Sequence, residues 1–256
     1  MTVTFERIPP SDYLTRLAAS DLGRSYKALV VQELSIQRGQ TVLDLGCGPG
    51  ADLRAFAESV GPSGAVIGMD HDDEAVGQAR RAVEDLPTVH VRAGDIHQLD
   101  VPDGSIDRAH TDRVLQHVAD PSRVLAEVHR VLAHGGCAVF AEPDWDTLAI
   151  DFPRPEVAVA YRRFMTDHVV RNARIGRALP RLAEPVGLAV TRIVPVTAVF
   201  RDANEADKIL GFHRVTQRAV AAEYLTAADA DEWLAHLASA PFFTSVTLFV
   251  AVARRQ

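Results

Sequence analysis

Four aspartates, Asp44, Asp70, Asp95 and Asp112, each stand at or near the end of a short segment that reads as a strand, and the first is followed by the run Gly46-Cys47-Gly48-Pro49-Gly50. Glycines in such a turn let the backbone approach a ligand closely. A carboxylate at the end of the next strand can accept hydrogen bonds from both hydroxyls of a ribose. Together these residues describe a nucleoside-binding edge. Two cofactors fit it. A nicotinamide or flavin dinucleotide would use Gly46, Gly48 and Ala51, which satisfy G-x-G-x-x-G/A. S-adenosylmethionine presents a cationic sulfonium and an amino acid instead of a pyrophosphate, which suits an acid inside the strand at Asp44, with Asp95 as an acceptor for the adenine amino group.

These acids need elements that bring strand ends to one edge. Residues 41–45 (TVLDL) read as an apolar strand feeding the glycine turn, and Leu53, Phe56, Ala57 and Val60 then recur at helical spacing. Further strands are expected at 65–69, 89–93, 106–110 and 137–141, the last ending in EPDWD. A helix through about Asp85 separates the second from the third. Val124, Leu125, Val128, Val131 and Leu132 mark another, closed by Gly135 and Gly136. Alternating strand and helix signals imply an α/β fold with a parallel sheet covered on both faces. Beyond residue 150 two arginine-rich helices are expected over 155–185, then a strand at 189–200 with Pro195 at a bulge or edge, and a final strand at 243–253. Helical stretches around 204–222 and 226–239 lie between those last two strands and form a lobe or lid. Ahead of the first strand, residues 11–36 read as an amphipathic helical region and a second candidate lid.

The 256 residues suffice for one large domain with an elaborated lobe. At 47% hydrophobic and 24% charged residues the composition is that of an ordinary globular chain. Cys47 and Cys137 stand far apart, which argues against a disulfide framework, and neither has a histidine at metal-binding spacing. The amino terminus lacks a leader pattern, and no apolar run approaches the roughly 20 residues of a membrane span. A soluble protein of a reducing cytoplasm, monomer or homodimer, is the expectation. The formal net charge of −7 disfavours nucleic acid as a partner.

VLDLGCGPG at 42–50, IGMDHDDEAV at 67–76, GDIHQLDVPDGSID at 94–107 and LAEVHRVLAHGGCAVFAEPD at 125–144 stand in one order and spacing. In this the sequence resembles the class I S-adenosylmethionine-dependent methyltransferases, most like the ubiquinone/menaquinone-biosynthesis type and its small-molecule relatives. The resemblance covers roughly residues 40–145, the expected cofactor-binding core. It implies a Rossmann-like seven-stranded sheet in order 3-2-1-4-5-7-6 with the last strand antiparallel. It implies that Asp44, Gly46, Cys47, Gly48 and Leu53 surround the methionine part of S-adenosylmethionine, Asp70 and His71 the ribose, and Asp95 and Ile96 the adenine. Arg113 falls where the family's backbone meets the amino acid end. The implied reaction moves a methyl group to an O, N or C nucleophile of a small metabolite, specialised or quinone-like, and leaves S-adenosylhomocysteine. A nicotinamide-dependent oxidoreductase, or a protein that binds the cofactor without methylating, are the alternatives.

Residues 150–242 match no motif of that specificity, so candidates outside the cofactor edge rest on residue chemistry. His117, a turn beyond Arg113, is the candidate acceptor for a substrate proton, since a neutral imidazole serves as a base near pH 7. Cys47 reads as a packed thiol. The acids Glu142, Asp144 and Asp146 look like part of a magnesium set, but no downstream Asp-Asn pair completes it, and no metal is expected. The arginines between Arg154 and Arg181 read as a solvated helical face from which one or two could reach a pocket. His168 and His213 fall in the lid region, and Tyr161, Phe164, Phe212, Tyr224, Trp233, Phe242 and Phe243 read as lobe core. The position after the fourth strand reads TDRV, not an amino-methylation signature of the N/D-P-P-Y type.

Overall fold

The structure, a computed structural model, describes residues 21–239 and 241–256, so the first ten residues of the expected 11–36 segment lie outside it. Its α1 (Asp21–Leu34) precedes β1 (Thr41–Leu45), α2 (Leu53–Val60), β2 (Ala65–Asp70), α3 (Asp73–Ala82), β3 (Val89–Ala93) and β4 (Ile106–Asp112). Then come α4 (Pro121–Val131), β5 (Leu132–Ile150), α5 (Pro155–Phe164), α6 (Ile175–Ala183), β6 (Leu188–Phe200), α7 (Ala203–Leu210), α8 (Phe212–Ala221), α9 (Ala227–Ser239) and β7 (Thr244–Arg255). The strands form one sheet in order β3-β2-β1-β4-β5-β7-β6, with β7 antiparallel to both neighbours. This is the doubly wound sheet expected from the sequence.

Side chains alternate across the strands, so each strand feeds two cores. On one face Ala138 and Phe140 pack with Leu43, Ala109 and Ala251 beneath α4 and α6, which contribute Val124, Val128, Ile175 and Leu179. On the other, Cys137, Val139 and Ala141 join Val42, Val66 and Val250 beneath α1 and α2, which supply Val30, Leu34, Phe56 and Val60. A third core fills the lobe made by α5 and α7 to α9. There Trp233 lies 5.1 Å from Phe152, 5.4 Å from Tyr161 and 6.1 Å from Phe212, centroid to centroid. The Tyr161 hydroxyl donates to the Leu210 carbonyl at 2.7 Å. Of the expected lobe aromatics, Phe243 departs from the pattern and is exposed.

The fifth strand differs most from expectation. The helix before it does not run on to Gly135; it stops at Val131, because Leu132 is extended, fully buried and paired with Ile106. At its other end the strand continues through EPDWD to Ile150, pairing with β7 from Cys137↔Arg254 to Ile150↔Thr244, with an irregularity between Asp144 and Ala149. EPDWD is therefore strand interior. Pro195 lies on β6, the outermost strand, where its missing N–H leaves no ladder partner wanting. The register irregularity of β6 falls instead between Val190 and Arg192. Helix 204–222 of the sequence reading is two helices, broken at Gly211, whose φ of +59° ends α7.

Candidate active site

The parallel order brings the four acid-bearing strand ends side by side as Asp95, Asp70, Asp44 and Asp112. The glycine turn bends back over β2: the N–H groups of Gly46 and Cys47 donate to the Met69 carbonyl at 2.7 and 3.0 Å. Gly48 donates to Asp70 Oδ2 at 2.8 Å, and Asp72 N–H donates to Asp70 Oδ1 at 3.0 Å. Asp70 thus ties the turn to the second strand end. Gly46 has φ +70°, and a Cβ there would lie 2.4 Å from Val114 Cγ2. That position admits glycine alone, because the segment after β4 packs directly on the turn.

Leu53, fully buried, opens α2 beneath the turn, and Cys47 is buried, its thiol pushed up by burial and by Asp44 and Asp70. His71 is exposed, 3.3 Å from Asp70. Asp95 is exposed and accepts from His97 N–H at 2.9 Å and sits 2.7 Å from His97 Nδ1; these bonds lower its pKa. Ile96 is buried beside it. These residues form the edge assigned to ribose and adenine.

Asp44 stands apart from the exposed acids. It is buried against His110 of β4, with Nδ1 2.8 Å from Oδ1, and Phe56 meets the imidazole edge-on at 5.2 Å. Burial raises the Asp44 pKa, and the carboxylate raises that of His110 against its own burial, so both groups favour a proton in the bond between them. One oxygen each of Asp44 and Asp52 and one nitrogen of His110 lie within 4.8 Å of one another. That cluster is already balanced by the Lys27 ammonium, which reaches Asp52 at 2.5 Å and Asp112 at 3.0 Å.

Tyr26 and Lys27 of α1, with Asp52, were not singled out from the sequence as site residues, and Asp112 was named only as a strand end. The Tyr26 hydroxyl donates to Asp112 Oδ2 at 2.8 Å, and Arg113 Nε donates to Oδ1 at 2.9 Å. Burial alone would raise the Asp112 pKa, but Arg113 and Lys27 hold it well below the usual carboxylate range. Burial and the Asp112 charge push the Tyr26 phenol far up, so it stays protonated. One signal was present: 25 of the 27 cations are Arg, which makes Lys27 one of two lysines.

Arg113 has φ +59° and donates its N–H to the Ala141 carbonyl at 2.8 Å, closing the top of β4 on β5. Beyond it, His117 is exposed; crowding by the chain and the nearby Arg113 lower its pKa, leaving a neutral imidazole at pH 7. Glu142, by contrast, is fully buried, and burial pushes its carboxyl up to about 7 although backbone N–H groups oppose the shift. Asp144, also buried, pairs with Arg177, and Asp146 lies 3.3 Å from Arg174 and 3.4 Å from Arg177. The three acids therefore have hydrogen-bond or arginine partners. The arginines that meet Asp144 and Asp146 do so on the α6 side of β5, across the strand from Pro143 and Trp145.

Pro143 and Trp145 line an apolar cleft of about 520 Å³, including its open mouth, on the α1 side of the sheet. Val196, Ala198 and Phe200 of β6, Val246 and Leu248 of β7 and Ile209 of α7 form its wall, and Tyr26 and Arg113 its polar end. His117, His168 and His213 are not among its lining residues; His168 lies 3.0 Å from the Tyr224 hydroxyl and His213 2.8 Å from Gln217. No helix among the described residues is long and apolar enough to cross a membrane.

A family model described as a methyltransferase domain matches residues 36–183. An uncharacterised 37.1 kDa protein encoded in transposon Tn4556 of Streptomyces fradiae is 55% identical over 252 residues, 98% of this chain and 73% of that one. A demethylmenaquinone methyltransferase of Geobacillus stearothermophilus is 36% identical over 121 residues, 46% of this chain and 52% of its own length. The matched region thus spans about half of that relative. Among solved structures, a Bacillus halodurans protein assigned as a methyltransferase superposes with a TM-score of 0.68 at 17% identity, covering 90% of this chain and 99% of that one. The glycine turn was open to a dinucleotide as well; the family match decides for S-adenosylmethionine. With more than half its length in the family model and the sheet order of the fold in place, the chain belongs to the methyltransferase-domain family, as a class I S-adenosylmethionine-dependent methyltransferase.

Proposed function

We propose that the protein transfers the methyl group of S-adenosylmethionine to a small, largely apolar acceptor held in the cleft between α1 and the β5-β7-β6 wall. The observation that carries this reading is the lining: eight apolar residues on the wall and a polar end limited to Tyr26 and Arg113. Such a surface holds a ring or chain by area and orients it by few polar contacts. The cofactor's sulfonium is already activated, so the protein's task is to hold nucleophile and methyl carbon in line, roughly 3 Å apart, and to keep water out.

In this reading Asp70 and Asp95 take the ribose and adenine, and the glycine turn takes the methionine part. Asp44 acts from behind the turn, where its charge, shared with His110, faces the cationic end of the cofactor. The polar end of the cleft offers no ready base, because Tyr26 is a donor bound to Asp112 and stays protonated. An acceptor suited to it brings its own nucleophile, such as an ionised phenol or enol attracted by Arg113. A quinol-like or specialised aromatic metabolite fits that description. The demethylmenaquinone methyltransferases in the comparison are named for an acceptor of this kind.

The test is to incubate the protein with S-adenosylmethionine and a panel of apolar phenols, enols, amines and carboxylic acids, and to search by mass spectrometry for products 14 Da heavier. Products confined to apolar hydroxylated compounds, lost in Arg113→Ala, would support the reading. Methylation of bulk tRNA or of polar acids, with none of the apolar compounds accepted, would sink it.

A further inference from the structure

The segment after β4 lies between the glycine turn and the apolar cleft, and two side chains from elsewhere in the chain hold five of its backbone polar groups. From within the sheet, Glu142 accepts at Oε1 from the N–H groups of Val114 and Leu115 at 3.0 and 2.8 Å and from the Thr111 hydroxyl at 3.3 Å. Its Oε2 accepts from Gln116 N–H at 3.3 Å. From the other side, Asn172 Nδ2 donates to the carbonyls of Leu115 and Val118, both at 2.8 Å, and its N–H donates to the Gln116 carbonyl at 3.0 Å. Three consecutive N–H groups aimed at the oxygens of one buried carboxyl group form a clamp that a side chain of another length does not reproduce.

What the clamp holds matters for both ligands. Val114 presses on Gly46 of the cofactor turn, as the 2.4 Å approach to a built Cβ shows. Gln116 accepts from Trp145 Nε1 at 2.8 Å, and Trp145 and Arg113 line the apolar cleft. Displacing the segment by 1 Å would therefore disturb the cofactor turn through Val114 and the acceptor wall through Trp145 together. We infer that Glu142 is a positioning residue of the methyl-transfer site: it does not line the cleft, and its buried carboxyl group sets the segment 113–116 that aligns the cofactor turn with the acceptor cleft. This rests on the cofactor edge, which the family assignment supplies, and stands whether or not the acceptor is the apolar class proposed above.

The test measures S-adenosylhomocysteine binding by calorimetry in the full-length protein and in Glu142→Ala, Glu142→Gln and Glu142→Asp. Gln keeps one oxygen at the length needed for Val114 and Leu115, whereas Asp falls short by a methylene. Glu142→Ala is expected to weaken binding by about tenfold or more, equivalent to about 1.4 kcal/mol, with Glu142→Gln recovering most of the loss and Glu142→Asp little. Leu179→Ala, a truncation in the core under α6 that removes no hydrogen bond from the segment, serves as the stability control. If Leu179→Ala, melting no higher than Glu142→Ala, binds as the parent does, the loss belongs to positioning. Unchanged affinity in folded Glu142→Ala, or an equal loss in the Leu179 variant, would overturn the inference.

Discussion

Replacing Gly46 with alanine imposes two separable strains on the cofactor turn. The backbone there has φ +70°, a left-handed conformation that costs an L-residue about 1–2 kcal/mol. The added methyl would also lie 2.4 Å from Val114 Cγ2, 2.9 Å from Cγ1 and 3.2 Å from Cβ, an overlap of the kind that destabilises by about 1–3 kcal/mol. Gly46→Ala should therefore lose about 2–5 kcal/mol of stability, from the two costs together. Trimming Val114 to alanine removes both near carbons and alone should cost about 1 kcal/mol, since that side chain is only partly buried. In the double variant the overlap term disappears, so its loss should fall short of the sum of the singles by about 1–3 kcal/mol. Urea unfolding of the four proteins gives the coupling energy directly. Additivity to within about 0.5 kcal/mol would refute the claim that the segment after β4 sits hard on the glycine turn.

Other expectations concern charge and access. Lys27→Ala leaves Asp52 and Asp112 without their ammonium and should cost about 2–4 kcal/mol in denaturant unfolding; a loss below about 0.5 kcal/mol would show the pair to be mere surface charge. Because burial raises Glu142 from 4.5 to about 7, the folded protein keeps a proton there that the unfolded chain has lost. That group's contribution to stability should fall by about 3 kcal/mol as pH rises from about 4.5 to 7. Glu142→Gln should lack that slope, and a wild-type minus Gln difference that is flat with pH would contradict it. Asp70→Ala should weaken S-adenosylhomocysteine binding by roughly 100-fold or more, and unchanged calorimetric affinity would remove Asp70 from the ribose site. Finally, if α1 covers the bound cofactor, S-adenosylhomocysteine should slow amide exchange over 21–34 and leave α4 unaffected; equal protection with and without ligand would make α1 a fixed wall.

The parallel half of the sheet was legible because each strand there is a short segment with apolar positions that ends at an acid or a glycine. β1 and β3 match the sequence reading residue for residue, and β2 and β4 extend it by one and two residues. Local pattern failed where pairing partners decide the conformation. Leu132 continues a helical apolar stripe, yet it is extended because Ile106 stands beside it. EPDWD carries the charge and proline of a loop, yet it continues the ladder because β7 lies along it and Arg177 and backbone N–H groups neutralise its acids. The cofactor glycines and strand-end acids could be named from spacing, since one turn fixes their geometry. Tyr26 and Lys27 could not, because what brings them to Asp112 is the docking of a helix 85 residues away in sequence.

β5 passes out of the cofactor sheet and into the lobe with one irregularity between Asp144 and Ala149, while β7 returns from the lobe and β6 climbs toward it, each laddered to a neighbour. In mechanical terms the lobe is cantilevered on three adjacent strands, and swinging it as a door would shear rows of backbone hydrogen bonds. On the opposite side of the cleft, α1 meets the cofactor edge through side-chain bonds to Asp52 and Asp112, which exchange partners with water at far smaller cost. The cleft thus has one side held by strand ladders and one side held by side-chain bonds. Should S-adenosylhomocysteine slow exchange over 21–34 as expected above, ligand traffic would fall to α1, and the lobe could accommodate changes in acceptor size without altering the entrance.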